Sequence, residues 1–295
     1  MAHVQEPTAL KTAMDGVADG FGGTLGYSLH HRGRGEHLAH RGDEPFPTAS
    51  TIKTALMGAA MQQVDTGRLR WQDEFPAPPA TVPRQAGGYS FFFPPGILLP
   101  LPQWLDLMIT MSDNTATVVL REVVGQGNVN SWLASLGLTQ TKLLNGPQKE
   151  ELGLLPLQQE YGLGMTTPSE MGRLLELIRD GEAASTAACD RMLRLLSHQY
   201  WDAAIAAEVP PSVQVAHKTG SIGGHRSDAA YVFAPGGEYV LTVYTKGQRD
   251  DHWTHDNEGL VAIRALSRLA WRHYHPQHPW TPPPGVAGFW PPEEP

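Results

Sequence analysis

A single cysteine, Cys189, stands in 295 residues, so an internal disulfide is excluded and the redox compartment stays open. Its setting predicts a thiol on the buried face of a helix, with no chemical role. No apolar run is long enough to span a membrane; the nearest, Phe91 to Leu101, is interrupted by Pro94, Pro95 and Pro100. The first residues, Met1 to Pro7, have neither the basic nor the apolar stretch of a secretory signal, so none is expected in this chain. The compartment is cytoplasmic if Met1 is native and extracytoplasmic if a signal has been removed. Positive charge is also scarce. Lys and Arg number 22 against 30 Asp and Glu, a formal charge of −8, which argues against nucleic acid or an anionic membrane surface as partner. Only six of the 22 cations are lysines: Lys11, Lys53, Lys142, Lys149, Lys218 and Lys246. Lysine sheds its proton when buried near another cation, whereas arginine does not.

What is present reads as a soluble globular chain, 41% hydrophobic and 18% charged. Helical spacing covers Ala9 to Gly20. Alternation then marks a strand over Thr24 to His31 and a hairpin partner over Glu36 to Arg41. A helix is predicted from about Ser50 to Asp65, with Ile52, Leu56, Ala60 and Val64 on one face and Gly67 as its stop. Shorter helical stretches follow over Pro102–Met111, Asn114–Val124 and Asn128–Leu136. Thr167-Pro168-Ser169-Glu170 is a helix start with a capping box and proline in the first turn, and another helix covers Ser185 to Ser197. Strands return at Ser212–Lys218, Asp228–Phe233 and Tyr239–Thr245, and an amphipathic helix closes over Glu258–Tyr274. This order predicts an α+β fold: an antiparallel sheet flanked by helices, with an all-helical domain inserted. The expected division is 1–49 with 206–275 for the sheet-containing domain and 50–205 for the helical one. The proline-rich tail, 276–295, is expected to be disordered.

Three short motifs carry chemistry: Ser50-Thr51-Ile52-Lys53, Ser112-Asp113-Asn114 and Lys218-Thr219-Gly220. Each exact tripeptide is expected by chance only about 0.05–0.1 times in a chain of this length. Ser50 and Lys53, three apart at a helix start, share a face. A serine hydroxyl is a weak nucleophile until a neighbour takes its proton, and an amine does so once a dry site and a second cation depress its pKa. Ser112 is then a candidate proton shuttle and Asn114 a clamp on a substrate amide. The same three residues also suit an ordinary helix cap. Lys218 and Thr219 would attract a carboxylate, with Gly220 leaving room beside a strand edge. The backbone N–H groups of Ser50 and Ser221 would bind an oxyanion. Arg226 is a candidate second cation for the anion site, or a surface salt-bridging residue.

With these residues in place, the chain resembles a class A β-lactamase-type serine hydrolase, of the β-lactamase and penicillin-binding protein superfamily, from about Ala9 to Tyr274. Met108 to Thr117 is similar to the central segment of that family almost residue for residue. The resemblance implies Ser50 as acylated nucleophile, Lys53 and Ser112 as proton carriers, and Lys218 with Thr219 as a carboxylate site. It also implies a β-lactam or a D-alanyl-D-alanine-type peptide as substrate, and a monomer without cofactor or metal. One part of the pattern departs. The family carries Glu-x-x-Leu-Asn before Thr-Thr-Pro to activate the deacylating water. Here Glu151-Leu152-Gly153-Leu154-Leu155 precedes Thr166-Thr167-Pro168, with leucine for asparagine. Glu151 is the candidate base, with Glu150 and Glu160 as competitors. A D-alanyl-D-alanine carboxypeptidase or a non-turnover β-lactam sensor are therefore the alternative readings. Tyr89, Phe91, Phe92 and Phe93 are read as core packing or a rim over the cleft. Asp251, His252, His255 and Asp256 are read as a loop capping the last helix rather than a metal site.

Overall fold

The computed structural model describes residues 8–78 and 93–282. Helix α1 (Thr8–Asp19) leads into strands β1 (Thr24–His31) and β2 (Glu36–His40). At the other end of the chain, β8 (Val215–Ile222), β9 (His225–Val232) and β10 (Tyr239–Lys246) precede α9 (Glu258–Tyr274). These five strands form one antiparallel sheet in the order β2-β1-β10-β9-β8, so the two ends of the chain meet at the β1–β10 ladder, Thr24↔Lys246 to His31↔Tyr239. Both faces are covered, which is why the inner strands β1, β10 and β9 are buried almost throughout rather than alternately. Alternation decides which core each residue joins. Tyr239, Leu241 and Val243 pack with Leu10, Met14, Ile263, Leu266 and Trp271 of α1 and α9. Val240 and Tyr244 point the other way, toward the helices.

The helical side is built around α2 (Lys53–Asp65), flanked by α3 (Leu101–Thr110), α4 (Asn114–Val124) and α5 (Gln126–Ser135). The sequence predicts one apolar face for α2. In the structure nearly the whole helix is buried, Lys53 and Thr54 included, because Ala55, Gly58, Ala59 and Ala60 let neighbouring helices close in on every side. Gly58 is the tightest point: a Cβ there would run into the six-membered ring of Trp132, whose Nε1–H donates to the Ala183 carbonyl at 3.1 Å. Helix α7 (Pro168–Asp180) starts as the sequence predicts, Thr167 Oγ1 accepting from Glu170 N at 3.1 Å. The Glu170 carboxylate does not return to the cap. It accepts from the backbone N–H groups of Gln140 and Thr141 instead, tying that loop to the helix. Helix α8 (Thr186–Leu196) buries Cys189 on its inner face.

A small sheet, β3 (Phe46–Pro47), β7 (Gly164–Thr166) and β6 (Lys142–Leu143), ordered β3-β7-β6, bounds the loop that carries α6 (Leu155–Tyr161). Strand β4 (Glu74–Pro76) pairs with β5 (Leu98–Pro100). Several predicted boundaries move. Strand β8 continues past Lys218 to Ile222, and β9 starts at His225 rather than Asp228. The polar stretch between them has no apolar alternation, and backbone pairing with the neighbouring strand extends it. The predicted helix from Ser50 instead begins as a 3₁₀ turn, Ala49–Ile52, with α2 starting at Lys53. Tyr89, Phe91 and Phe92, and the tail from 283 onward, lie outside the described residues.

In an exposed helix, Gly→Ala stabilises by about 1 kcal/mol. Gly58→Ala is expected to do the reverse, lowering stability by about 1–3 kcal/mol through overpacking against Trp132. Urea unfolding midpoints check this; an unchanged or raised midpoint would contradict the packing described.

Candidate active site

Ser50 lies on a turn held from three sides. Thr48 N–H donates to the Gly164 carbonyl of β7 at 2.9 Å, Tyr244 Oη on β10 donates to Thr51 Oγ1 at 3.1 Å, and Ser227 Oγ on β9 donates to the Thr48 carbonyl at 3.3 Å. Ala49, immediately before the serine, has φ +44°, a left-handed conformation that costs a residue with a Cβ roughly 1–2 kcal/mol. Ser112 is likewise left-handed, φ +57°, between α3 and α4. Strain of this kind persists only where the surroundings over-determine it.

Within Ser112-Asp113-Asn114, capping and contact with Lys53 fall to different residues. Asp113 caps α4, accepting from Ala116 N at 2.7 Å. That leaves Ser112 and Asn114 to meet Lys53, whose Nζ lies 2.7 Å from the Ser112 carbonyl, 3.2 Å from Ser112 Oγ and 2.8 Å from Asn114 Oδ1. Lys53 and Lys218 are both completely buried. Burial, reinforced by the Lys218 charge and opposed by Asp113, holds the Lys53 amine well below the ordinary lysine range. Burial pushes Lys218 down to about 7, against the opposing pull of Asp228. Asp228 is itself fully buried; it accepts from Ile205 N at 3.0 Å and pairs with His217 Nδ1 at 3.1 Å. A neutral Lys53 keeps its two N–H bonds to the Ser112 carbonyl and to Asn114. Its lone pair then faces the Ser112 hydroxyl, which donates to it.

Strand β8 ends the sheet, and its pairing decides where its backbone points. Arg226, opposite Ser221, has both its N–H and its C=O bonded to Thr245 Oγ1 on the β10 side, at 2.8 and 3.1 Å. In an antiparallel ladder such a pair is not hydrogen-bonded, so the N–H and C=O of Ser221 face the open edge, as do those of Thr219. Lys218 Nζ accordingly donates to the Thr219 carbonyl at 3.0 Å. Gly220 lets this edge approach the turn that carries Ser50. A Cβ on it would lie 2.6 Å from the Thr48 carbonyl oxygen and 3.1 Å from Ser50 N. The sequence suggests room for an acyl chain as the reason for this glycine; the structure supplies a second, the close contact of strand and turn.

A cleft of about 400 Å³ opens over this group, and its lining includes Ser50, Ser112, Asn114, Thr219, Ser221 and Arg226. No Asp or Glu is among the described residues that line it. Glu150, Glu151 and Glu160 are all exposed on the 144–163 loop, outside that lining. Arg226 is buried, and its guanidinium donates to the carbonyls of Gly223 (2.7 Å), His225 (2.8 Å), Asp251 (3.3 Å) and His252. It thus holds the loop before α9 as well as lining the cleft. That loop caps the helix, with Asn257 Oδ1 accepting from Gly259 N and Leu260 N. Among the described residues no group of three or more His, Cys, Asp or Glu is arranged to hold a metal.

Several cleft residues escape the sequence reading: Met111, Trp201, Ala203, Ala204, Trp253 and Leu260. Trp201 and Trp253 lie in irregular segments, where no periodicity points inward or outward. Asp228 is on a strand with nothing in its spacing to mark a buried carboxylate.

The model of a family described as "Beta-lactamase enzyme family" matches residues 9–274. Beta-lactamase L2 of Stenotrophomonas maltophilia is 28% identical over 234 residues, covering 75% of this chain and 73% of that one. The β-lactamase of Rhodobacter capsulatus is 25% identical over 252 residues, covering 80% of each. Among solved structures, a β-lactamase from Sphaerobacter thermophilus is similar with a TM-score of 0.79 at 29% identity, over 95% of this chain and 100% of that one. A mutant of PBP-A, solved as an acyl-enzyme complex with penicillin G, reaches a TM-score of 0.81 at 26% identity, over 94% and 100%. With a family match that runs from α1 to the end of α9, the chain belongs to the β-lactamase enzyme family.

Proposed function

We propose that this chain is an active-site-serine hydrolase that opens β-lactam amides through an acyl-Ser50 intermediate, releasing the acyl group more slowly than it forms it. Ser50 Oγ attacks the lactam carbonyl carbon. Lys53 and Ser112 carry the hydroxyl proton to the departing nitrogen as the C–N bond breaks. The N–H groups of Ser50 and Ser221 stabilise the oxyanion, an interaction typically worth about 3–4 kcal/mol per donor. Asn114 binds the acyl amide, and Lys218 with Thr219 binds the substrate carboxylate. Water then adds to the acyl-serine carbonyl and frees Ser50. The observation that carries this reading is the Lys53 amine, fully buried, low in proton affinity and bonded to both Ser112 and Asn114.

The slow second step follows from the cleft lining. Glu151, the candidate base for the deacylating water, is exposed and outside that lining, as are Glu150 and Glu160. The same observation favours a second reading, a D-alanyl-D-alanine carboxypeptidase, which shares the acylation chemistry. A structural neighbour captured with penicillin G as an acyl-enzyme supports the common step for either substrate.

Intact-mass spectrometry during incubation with penicillin G tests the proposal. A covalent adduct is expected to build up on the native chain and decay slowly, and to be absent from Ser50→Ala. An adduct that never forms would overturn the acyl-serine reading, and one that vanishes at once with penicillin consumed would overturn the slow release. Lys53→Arg keeps the charge but cannot give up its proton. Its acylation rate is expected to fall by about 10²–10⁴-fold, and an unchanged rate would remove Lys53 from proton transfer.

A further inference from the structure

The cleft has a second half that the acylation chemistry does not use. It is walled by Trp201, Ala203, Ala204, Trp253 and Leu260, with Arg226 at the junction. Its two indoles are held differently. Trp201 is half-buried and its Nε1–H is bonded to the Met111 carbonyl at 2.9 Å, so the ring is fixed to the end of α3, next to Ser112. Tyr200 meets it edge-on, with centroids 5.1 Å apart and planes at 88°. Trp253, on the loop before α9, is 54% exposed, an unusual exposure for so large an apolar group. Its ring lies over the Arg226 guanidinium, with Cζ 5.1 Å from the centroid. A cation seated on one face of an indole holds that ring in place and leaves the opposite face available.

Charge at this end is balanced. All four described bonds of the Arg226 guanidinium go to backbone carbonyls, and the Asp250 and Asp251 carboxylates stabilise its charge and offset its field. With four of its five guanidinium N–H groups given to backbone carbonyls and two carboxylates offsetting its charge, Arg226 has little left to offer a carboxylate, and an ammonium would face a cation. Gly259 fixes the arrangement, since a Cβ there would lie 2.9 Å from Arg226 Cβ and Cγ and push α9 off the arginine. The cleft is continuous with Ser50, so a substituent on the group that reacts there can extend into this half.

We propose that this half of the cleft is a subsite for an uncharged aromatic group on the substrate, held against the indole of Trp253. The proposal rests on the acyl-serine reading and adds the substrate class: an amide with an aryl substituent flanking the scissile bond. Trp253 is then a specificity residue that acts on binding and takes no part in proton transfer.

The test uses two matched pairs of β-lactams, one with a phenylacetyl or an acetyl acyl group, the other with a benzyl or a methyl group on the leaving side. Acylation of Ser50 is followed by intact mass, and turnover gives kcat and KM. In at least one pair the native chain is expected to prefer the aryl member about 10-fold, through KM. Trp253→Ala should reduce that preference to near unity, the aryl member losing about 10-fold more than the smaller one. Trp253→Phe should restore most of it, which separates the loss of a platform from a folding defect. If both pairs acylate Ser50 but neither shows an aryl preference, or Trp253→Ala slows both members equally, the subsite is overturned and the hydrolase reading stands. A preference for a carboxyphenyl over a phenyl group would overturn its uncharged character. If none of the four acylates Ser50, the hydrolase reading fails, and the subsite with it.

Discussion

Two lysine side chains, Lys53 and Lys218, are buried completely and within each other's field, and the rest of the site is arranged around that fact. An ammonium removed from water without a counter-ion costs several kcal/mol, and a second one nearby adds to the cost. Total folding stabilities of about 5–15 kcal/mol cannot carry two such penalties. The inexpensive solution is for an amine to give up its proton, which is what makes it a base. The polar groups around each amine fit that solution. Lys53 has acceptors for its N–H bonds in the Ser112 carbonyl and Asn114, and a hydroxyl for its lone pair. Beside Lys218, Asp228 opposes the loss of the proton that burial favours, and Asp228 is in turn bonded to His217 and Ile205 N.

The backbone pays for this arrangement in local strain and in missing side chains. Ala49, just before Ser50, and Ser112 are left-handed, while Gly220 lets the edge of β8 come up against the turn that carries Ser50. Anchors from β7, β9 and β10 hold that turn in place. The cleft that results is asymmetric: polar and hydrogen-bonding where the strand edge, Ser112 and Asn114 meet, and apolar where Trp201, Trp253 and Leu260 close it.

Much of this was legible in the residues. Alternation at both ends of the chain announced a sheet assembled from them, and residues of all three motifs line one cleft. Gly67 and the Thr167-Pro168 start marked helix ends by local chemistry alone. What remained illegible is set by tertiary contact. The 3₁₀ turn at Ser50 and the extension of β8 through Ile222 are imposed by neighbours. The all-round burial of α2 depends on which helices surround it, and its small residues do not reveal their partners. Asp228, Trp201 and Trp253 carry no periodic or motif signal, since a lone residue in a loop or strand looks the same facing a cleft as facing water. Glu151 shows the converse case: sequence position suggested a role, while the side chain is exposed outside the cleft lining.

Lysine titration by NMR measures the central constraint directly, and a chain with only six lysines makes the spectrum tractable. With lysine labelled at Cε and Nζ, the two buried amines are followed from acid to alkaline pH. The account predicts that Lys218 loses its proton near pH 7, and that Lys53 is already neutral well below the value of about 10.4 of an unperturbed lysine. Both amines titrating near 10.4, two buried ammonium groups standing together at neutral pH, would contradict it.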